Sequence, residues 1–132
     1  MSDIRQRKDD HISLALQAEH QGTAVSTFDN VCFEHNGLPE LALDQIDTHT
    51  KFLGNTVSCP IIIGAMTGGC DNGERINRHL AEAAEHTKIP MALGSQRASL
   101  EMGLPQNIRQ WAPTAVILGN LGATQLHQHG LD

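Results

Sequence analysis

The most regular feature of the chain is a set of three apolar runs, each of which ends in glycine and continues into small or polar residues. The runs cover residues 61–63, 91–93 and 116–118, and they are followed by Gly64, Gly94 and Gly119. None of them alternates apolar with polar positions, which is typical of parallel strands that are covered on both faces. The glycines are separated by 30 and 25 residues, and a strand with its crossover helix takes about 30 residues. The pattern therefore predicts three consecutive βα units.

Helical patterns follow each of these runs. Asp71 and Glu74 have the spacing of a capping box. Apolar residues then recur at helical spacing until residues 87–90 end the helix. A shorter helix is predicted over residues 105–111, with a proline in its first turn, and a third helix is predicted to begin at Ala123.

The first 59 residues have a different pattern. A helix is predicted over residues 9–17, and the next stretch is punctuated by glycine, asparagine and proline. Residues 47–53 and 56–59, separated by Gly54-Asn55, have the pattern of a small hairpin. We interpret this region as an N-terminal extension that packs on the βα units.

The predicted fold class is α/β, with the element order β-α-β-α-β-α in the second half. A (β/α)₈ TIM barrel needs eight such units and about 250 residues, and a doubly wound sheet, the alternative, usually needs five or six strands. We therefore expect this chain to be the N-terminal part of a larger barrel. Residues 1–59 would be the extension, and residues 60–132 would be the first three βα units of an incomplete barrel.

Composition narrows the function classes. The chain has 132 residues, 15 acidic against 9 Lys and Arg, and a formal charge of −6. This acidic balance argues against a general nucleic-acid binder but leaves room for a local basic site. The apolar run at residues 60–63 is far shorter than the roughly 20 residues of a membrane helix. The N-terminus has no secretory pattern, and three cysteines without Cys-x-x-Cys spacing favour a reducing cytoplasm.

Candidate chemistry lies at the carboxyl ends of the predicted strands, where parallel βα folds bind their ligands. A short polar residue follows each of the three glycines: Ser95 and Asn120 directly, and Thr67 three residues after Gly64. Such neutral hydrogen-bonding groups suit a heteroaromatic ring, and Arg97 adds a cationic fork for phosphate. The alternative is that the glycines only allow close contact between strand and helix. The three recurring polar positions favour a binding site.

Two other polar segments are weaker candidates. The charge run at residues 5–11, taken alone, is typical of a solvated helix start, because Asp9 and Asp10 are favourable in a first turn. His127 and His129 share a face on a strand but not on a helix. No third ligand is apparent for them, so no metal site is predicted in this chain.

Four motifs together resemble one known family. Their sequences are Arg7-Lys8-x-x-His11, Ile62-Ile63-Gly64-Ala65-Met66-Thr67-Gly68-Gly69, Gly94-Ser95-Gln96-Arg97 and Gly119-Asn120-Leu121-Gly122-Ala123. In this order and spacing they resemble the N-terminal part of type 2 isopentenyl diphosphate isomerase. Each motif is weak alone, but four in register are specific. The resemblance covers the whole chain but only part of the family's longer sequence.

The resemblance implies an FMN-binding (β/α)₈ barrel that interconverts isopentenyl diphosphate and dimethylallyl diphosphate. The family uses reduced FMN, with NADPH as reductant, and Mg²⁺ on the diphosphate. Reduced flavin would act as the acid and base, because the cofactor supplies the difficult chemistry and the protein supplies position. The intact enzyme would be a cytoplasmic homo-oligomer, with no nucleic-acid or membrane partner.

The resemblance also implies roles for individual residues. The flavin contacts would be Ala65, Met66, Thr67, Ser95 and Asn120. The substrate contacts would be Arg7, Lys8, His11, Ser95, Gln96 and Arg97. This replaces the interpretation of residues 5–11 as a solvated charge run. The catalytic residues and the metal ligand are expected downstream of Asp132, so the chain by itself is expected to be inactive.

Two other functions stay open at this point. The first is another FMN-dependent TIM-barrel oxidoreductase, of the 2-hydroxy-acid oxidase or dihydroorotate dehydrogenase type, because these also carry small polar residues at strand ends. The second is a non-catalytic fragment whose exposed strand edges pair with another chain.

Overall fold

Helices and strands alternate along the second half of the chain. The structure, a computed structural model, describes residues 2–20, 22, 26–66, 68, 71–103, 106–128 and 130. The helices are α1 (Ser2–Ala15), α2 (Asp71–Thr87), α3 (Arg97–Met102) and α4 (Ala123–Gln128). The strands are β1 (Thr50–Phe52), β2 (Asn55–Val57), β3 (Met91–Ala92) and β4 (Ile117–Leu118). Short 3₁₀ turns cover Ala18–His20, Thr27–Asn30, Leu43–Gln45 and Ile108–Gln110.

The three predicted strand runs lie side by side and run in parallel. Ile63 pairs with Met91 as a parallel bridge, and β3 pairs in parallel with β4. The Ala92 amide donates to the Ile63 carbonyl at 2.8 Å, and the Met91 amide donates to the Val116 carbonyl at 2.9 Å. The predicted α/β class with parallel strands is therefore confirmed. The described residues form a mixed α/β unit and no closed barrel.

Helix α2 covers one face of these strands, as its pattern predicts. Ala81 and Ala84 are fully buried and pack against Met91, which is 1% exposed. The rest of this core consists of apolar residues from the strands and the following loop, namely Leu93, Ile108, Ala112 and Ala115. The helix ends at Thr87 within the predicted stop, where Lys88 adopts a left-handed conformation with φ 58°.

After β3, the helix predicted to begin at Ala123 is confirmed as α4, whereas the helix predicted over residues 105–111 is wrong. Of the helix predicted over residues 105–111, the described residues hold only the 3₁₀ turn Ile108–Gln110. The Arg109 guanidinium donates to the carbonyls of Ala112 and Ala115 at 3.1 and 2.7 Å, which stabilises an irregular path into β4. Helix α3, which was not predicted, ends at Met102, and the φ of 64° at the next residue, Gly103, suits a glycine that caps a helix.

The N-terminal helix and the hairpin are confirmed with different bounds. Helix α1 begins at Ser2 rather than at residue 9, and ends at Ala15. Strands β1 and β2 are antiparallel, and Phe52 pairs with Asn55. The turn residues are therefore Leu53 and Gly54, with φ of 47° and 79°, rather than the predicted Gly54-Asn55. A two-residue hairpin turn of this kind needs positive φ at both central positions.

The hairpin is attached to the C-terminal end of α2. The Ser58 hydroxyl donates to the Thr87 carbonyl at 2.6 Å, and the Ser58 amide donates to the Lys88 carbonyl at 3.1 Å. Between α1 and the hairpin, residues 26–46 lie on the surface. The division of the chain at residue 59 stays a prediction. None of the helices in the described part of the chain is long and apolar enough to cross a membrane.

Candidate functional site

The carboxyl ends of the parallel strands meet at one edge. The Gln96 amide, after the second strand, donates to the Asn120 carbonyl, after the third, at 2.8 Å. Ser95 is half-buried and Asn120 is exposed. The first strand leads into Ala65 and Met66, which are both exposed. Thr67, predicted to contact flavin, lies outside the described residues.

Part of this edge is open. A Cβ added at Gly64 or Gly119 would meet no atom within 4 Å, and the Met66 side chain is 65% exposed. The backbone beside these positions is therefore accessible to a flat ligand. This arrangement fits one side of a flavin ring, with backbone and amide groups as hydrogen-bonding partners.

Gly68 has a different reason to be glycine. A Cβ at this position would lie 3.2 Å from the Gln106 side-chain nitrogen and 3.7 Å from the Ser95 carbonyl oxygen. Close packing within the protein therefore explains Gly68.

Next to the strand ends lies a cavity of about 260 Å³, which we call the basic pocket. It is lined by residues from three separate parts of the chain: Arg7, Lys8, Ser95, Arg97, Ala98 and Gln125. Three cationic side chains thus meet in a chain whose formal charge is −6. Cations together with hydroxyl and amide donors form a suitable environment for a phosphate group.

Helix α1 brings Arg7 and Lys8 to the basic pocket from the far end of the sequence. A hydrogen bond from the Asn72 side chain to the Asp9 carboxylate, 3.2 Å long, ties this helix to the start of α2. Asp9 directly follows Lys8, so this contact restrains the turn of α1 that carries both cations.

Arg97 enters the basic pocket as the first residue of α3. Its Nε donates to the Glu101 carboxylate at 2.7 Å, one helical turn further on. The backbone amide of Arg97 donates to the Ser95 hydroxyl at 3.4 Å. The hydrogen bond to Glu101 uses the single N–H of Nε, and a guanidinium group carries four more N–H donors on its two terminal nitrogens. These donors suit an anion in the pocket.

Two predicted substrate contacts lie outside the lining of the basic pocket. The Gln96 side chain donates to the Gly94 carbonyl at 2.9 Å and lies 3.4 Å from the Gln106 amide oxygen. His11 is exposed on α1 and does not line the cavity. Their proposed contacts with substrate stay predictions.

The pocket also contains a residue that the sequence analysis did not select. Gln125 lies in the first turn of α4, and its side chain lines the cavity. The sequence could have indicated Gln125, because a helix was predicted to begin at Ala123. A side chain in the first turn of a helix that follows a parallel strand lies near the end of that strand.

The described residues hold no group of three or more His, Cys, Asp or Glu side chains suited to a metal ion. No carboxylate is among the described residues that line the basic pocket. These residues therefore do not fit a magnesium site on their own, since Mg²⁺ is usually held by carboxylates.

A strongly shifted pKa lies near the amino ends of the parallel strands, at Glu85 near the end of α2. Hydrogen bonds from the Lys88 ammonium group, and then from the side chain and amide of Thr114 and the Ala115 amide, lower the pKa of Glu85 to about 2. Thr114 and Ala115 precede β4, so Glu85 links the end of α2 to the start of that strand. Separately, hydrogen bonds from the His49 amide and ring lower the pKa of the exposed Asp47.

The chain is similar to a family of known proteins. The family model for FMN-dependent dehydrogenase matches residues 10–114, and the chain belongs to that family. It is 43% identical over 136 residues to the isopentenyl-diphosphate delta-isomerase of Cronobacter sakazakii, covering 98% of this chain and 39% of that protein. The proteins of the same name from Chlorobium chlorochromatii and Halobacterium salinarum are 41% and 46% identical, over 93% and 96% of this chain.

The resemblance inferred from the four motifs is thereby confirmed. The chain spans 36% to 39% of the length of these three relatives.

Proposed function

We propose that this chain supplies the diphosphate clamp and one side of the flavin site of an FMN-dependent isopentenyl-diphosphate delta-isomerase. The observation that carries the proposal is the basic pocket, where Arg7 and Lys8 meet Ser95 and Arg97 beside the open strand ends. Relatives with the isomerase name support the same substrate. The proposal includes the predicted architecture, in which residues 1–59 are an extension and residues 60–132 are the first three βα units of a (β/α)₈ barrel.

The residues of the basic pocket would bind the diphosphate end of the substrate. Arg97 would give paired hydrogen bonds to phosphate oxygens, whereas Lys8 would act as a point charge. Binding at this end would hold the five-carbon end at the adjacent strand ends, and holding reactants in position contributes to rate.

The strand-end residues would bind the flavin. Backbone groups of Ala65 and Met66 and the amide of Asn120 would contact the ring from one side. Ser95 and Thr67 would be further flavin contacts. When bound, reduced FMN would supply the acid and the base that add a proton to one end of the alkene and remove another proton from the carbon on its other side. His11 and Gln96 would complete the substrate contacts.

Several properties of the intact enzyme belong to the proposal as implications of the resemblance. They are NADPH as reductant, Mg²⁺ bound by residues outside this chain, a homo-oligomeric state and a cytoplasmic location. Cys32 and Cys59 are free thiols, which is compatible with a reducing compartment.

A second candidate function is supported by the description of the matching family model. An FMN-dependent dehydrogenase would oxidise a small 2-hydroxy acid and pass electrons to an acceptor. Isomerisation has no net redox change, so acceptor consumption separates the two reactions.

The experiment compares this chain alone with a chimera in which it replaces the matching segment of the Cronobacter sakazakii relative. With FMN, NADPH and Mg²⁺, the chimera is expected to convert isopentenyl diphosphate without consuming an acceptor, and the chain alone is expected to be inactive. FMN content and circular dichroism establish that the chimera is folded. Oxidation of lactate by a folded chimera would contradict the isomerase proposal, and turnover by the chain alone would contradict its dependence on further residues.

A further inference from the structure

Gln125 is a polar residue that lines the basic pocket and lies outside the four motifs. It belongs to the third βα unit, whereas the cations come from α1 and α3. Its side chain lines the same cavity as Arg7, Lys8 and Arg97. An uncharged side chain from a separate element is thus held among three cations.

The local backbone explains how this side chain reaches the pocket. The amides of Gln125 and Leu126 donate to the Gly122 carbonyl at 2.9 and 3.1 Å, which fixes Gln125 in the first turn of α4. A Cβ added at Gly122 would collide with the side-chain amide oxygen of Gln125. The side chain therefore folds back over Gly122, and the absence of a side chain at residue 122 gives it the space.

The chemistry of an amide in this position differs from that of the neighbouring cations. Its oxygen lies against Gly122, which leaves the nitrogen, with two N–H donors, as the group available to an anion. The Lys8 ammonium group attracts a phosphate as a point charge, whereas a fixed amide donor requires an acceptor oxygen at one place.

We propose that Gln125 is a specificity-determining residue that donates a side-chain hydrogen bond to a phosphate oxygen of the bound diphosphate, and that Gly122 is required to hold it there. This inference rests on the proposed function, because it assumes that the basic pocket binds diphosphate.

The test uses the full chain and inorganic pyrophosphate, with binding measured by isothermal titration calorimetry. Gln125→Ala is expected to weaken binding roughly tenfold, and Gln125→Glu by at least that factor, because a hydrogen bond to a charged group is lost and a carboxylate is added. Gln128→Glu is the matched control. Gln128 is on the same helix but is exposed and lies outside the pocket lining. Its substitution by Glu makes the same change of charge, and the affinity for pyrophosphate is expected to stay within about twofold of the parent.

Gly122→Ala provides a second, independent variant. This substitution leaves the Gln125 side chain chemically unchanged, but the added methyl group occupies the position of its amide. The flexible end of the glutamine side chain can move aside without unfolding the helix. Gly122→Ala is expected to weaken pyrophosphate binding in the parent chain and to add little in the Gln125→Ala background, as coupled positions do. Circular dichroism of each variant checks the fold.

The outcomes separate the inference from the proposed function. If the parent chain binds pyrophosphate and Gln125→Glu equals Gln128→Glu, the inference about Gln125 is overturned while the pocket stands. Additive losses in Gly122→Ala and Gln125→Ala would overturn the role given to Gly122. A parent chain that binds no pyrophosphate would overturn the proposed diphosphate site, and the inference with it.

Discussion

The backbone amide of Gln96 donates a hydrogen bond of 2.8 Å to the carbonyl of Asn120. This bond continues the pairing of the second and third parallel strands past their ends. Ser95 and Asn120 are therefore held beside each other by backbone, and their spacing does not depend on mobile side chains. A site built on strand ends in this way is more precise than one built on a free loop.

The first prediction concerns Arg97. Arg97→Ala is expected to weaken pyrophosphate binding about tenfold to a hundredfold, because hydrogen bonds to a charged phosphate are lost. The affinity of Arg97→Lys is expected to lie between those of the parent and Arg97→Ala, because lysine keeps the positive charge but cannot make the paired hydrogen bonds of a guanidinium group. Titration calorimetry at low ionic strength measures both.

Arg78 supplies the matched control for this prediction. It makes the same kind of ion pair, from Nε to Glu82 at 2.8 Å, as Arg97 makes to Glu101 at 2.7 Å, but it lies on α2 outside the pocket lining. Arg78→Ala should leave pyrophosphate binding unchanged. Equal losses in the two variants would show that Arg97 acts only through the overall charge of the chain.

The second prediction tests whether α1 is positioned by its contact with α2. Asn72→Ala removes the hydrogen bond to Asp9 and is expected to weaken pyrophosphate binding about two- to tenfold, because the contribution of one such bond is about 0.5–1.5 kcal/mol. Gln6→Ala is the control, since the Gln6 side chain donates to Asp10 within α1 itself. If the two variants behave alike, the contact between the helices does not position Arg7 and Lys8.

The third prediction concerns stability against pH. The pKa of Glu85 falls from 4.5 to about 2 on folding. The carboxylate therefore stabilises the fold fully above pH 4.5, and this contribution is lost as the pH falls toward 2. Glu85→Gln should lower the free energy of unfolding at neutral pH, and its difference from the parent should shrink between these values. Urea unfolding at several pH values measures this.

Glu82→Gln serves as the comparison for Glu85. Its carboxylate pairs with Arg78 of the same helix at exposed positions, so its removal is expected to change stability by less than about 1 kcal/mol. A difference between Glu85→Gln and the parent that stays constant from pH 7 to pH 2 would contradict the link between Glu85 and the Thr114–Ala115 backbone.

The fourth prediction tests the flavin side of the site. A Cβ at Gly119 meets no protein atom within 4 Å, so Gly119→Ala should leave the stability of the fold nearly unchanged. If a flavin ring lies against this backbone, the added methyl group should weaken FMN binding severalfold. Gly37→Ala is the control, because Gly37 is equally open and lies far along the chain in the exposed segment. Fluorescence quenching of FMN measures both, and equal affinities would contradict the flavin placement.

Periodicity was sufficient to predict the elements that bury a continuous face. Helix α2 has a regular apolar stripe, and the three runs that become parallel strands are apolar throughout. Helix α3 was not predicted because it begins at Arg97, so close to the second strand that its first residue had the pattern of a polar strand end. Gly103, at the C-terminal end of that helix, was the local signal for it.

Some residues of the candidate site could likewise be predicted from local pattern, and others could not. Ser95 and Arg97 could be selected from their position after a strand, because parallel strands bring their carboxyl ends together. Arg7 and Lys8 could not be selected from their pattern, since a charge run at a helix start is usually solvated. They meet Arg97 through the packing of α1 near α2, which no local pattern encodes, and only the family resemblance indicated their role.

We propose that the basic pocket recognises the diphosphate of isopentenyl diphosphate, and a competition titration on the full chain tests this directly. Isopentenyl diphosphate should bind, inorganic pyrophosphate should displace it, and isopentenol at the same concentration should not. If isopentenyl diphosphate fails to bind, or if isopentenol displaces it as well as pyrophosphate does, the account is contradicted.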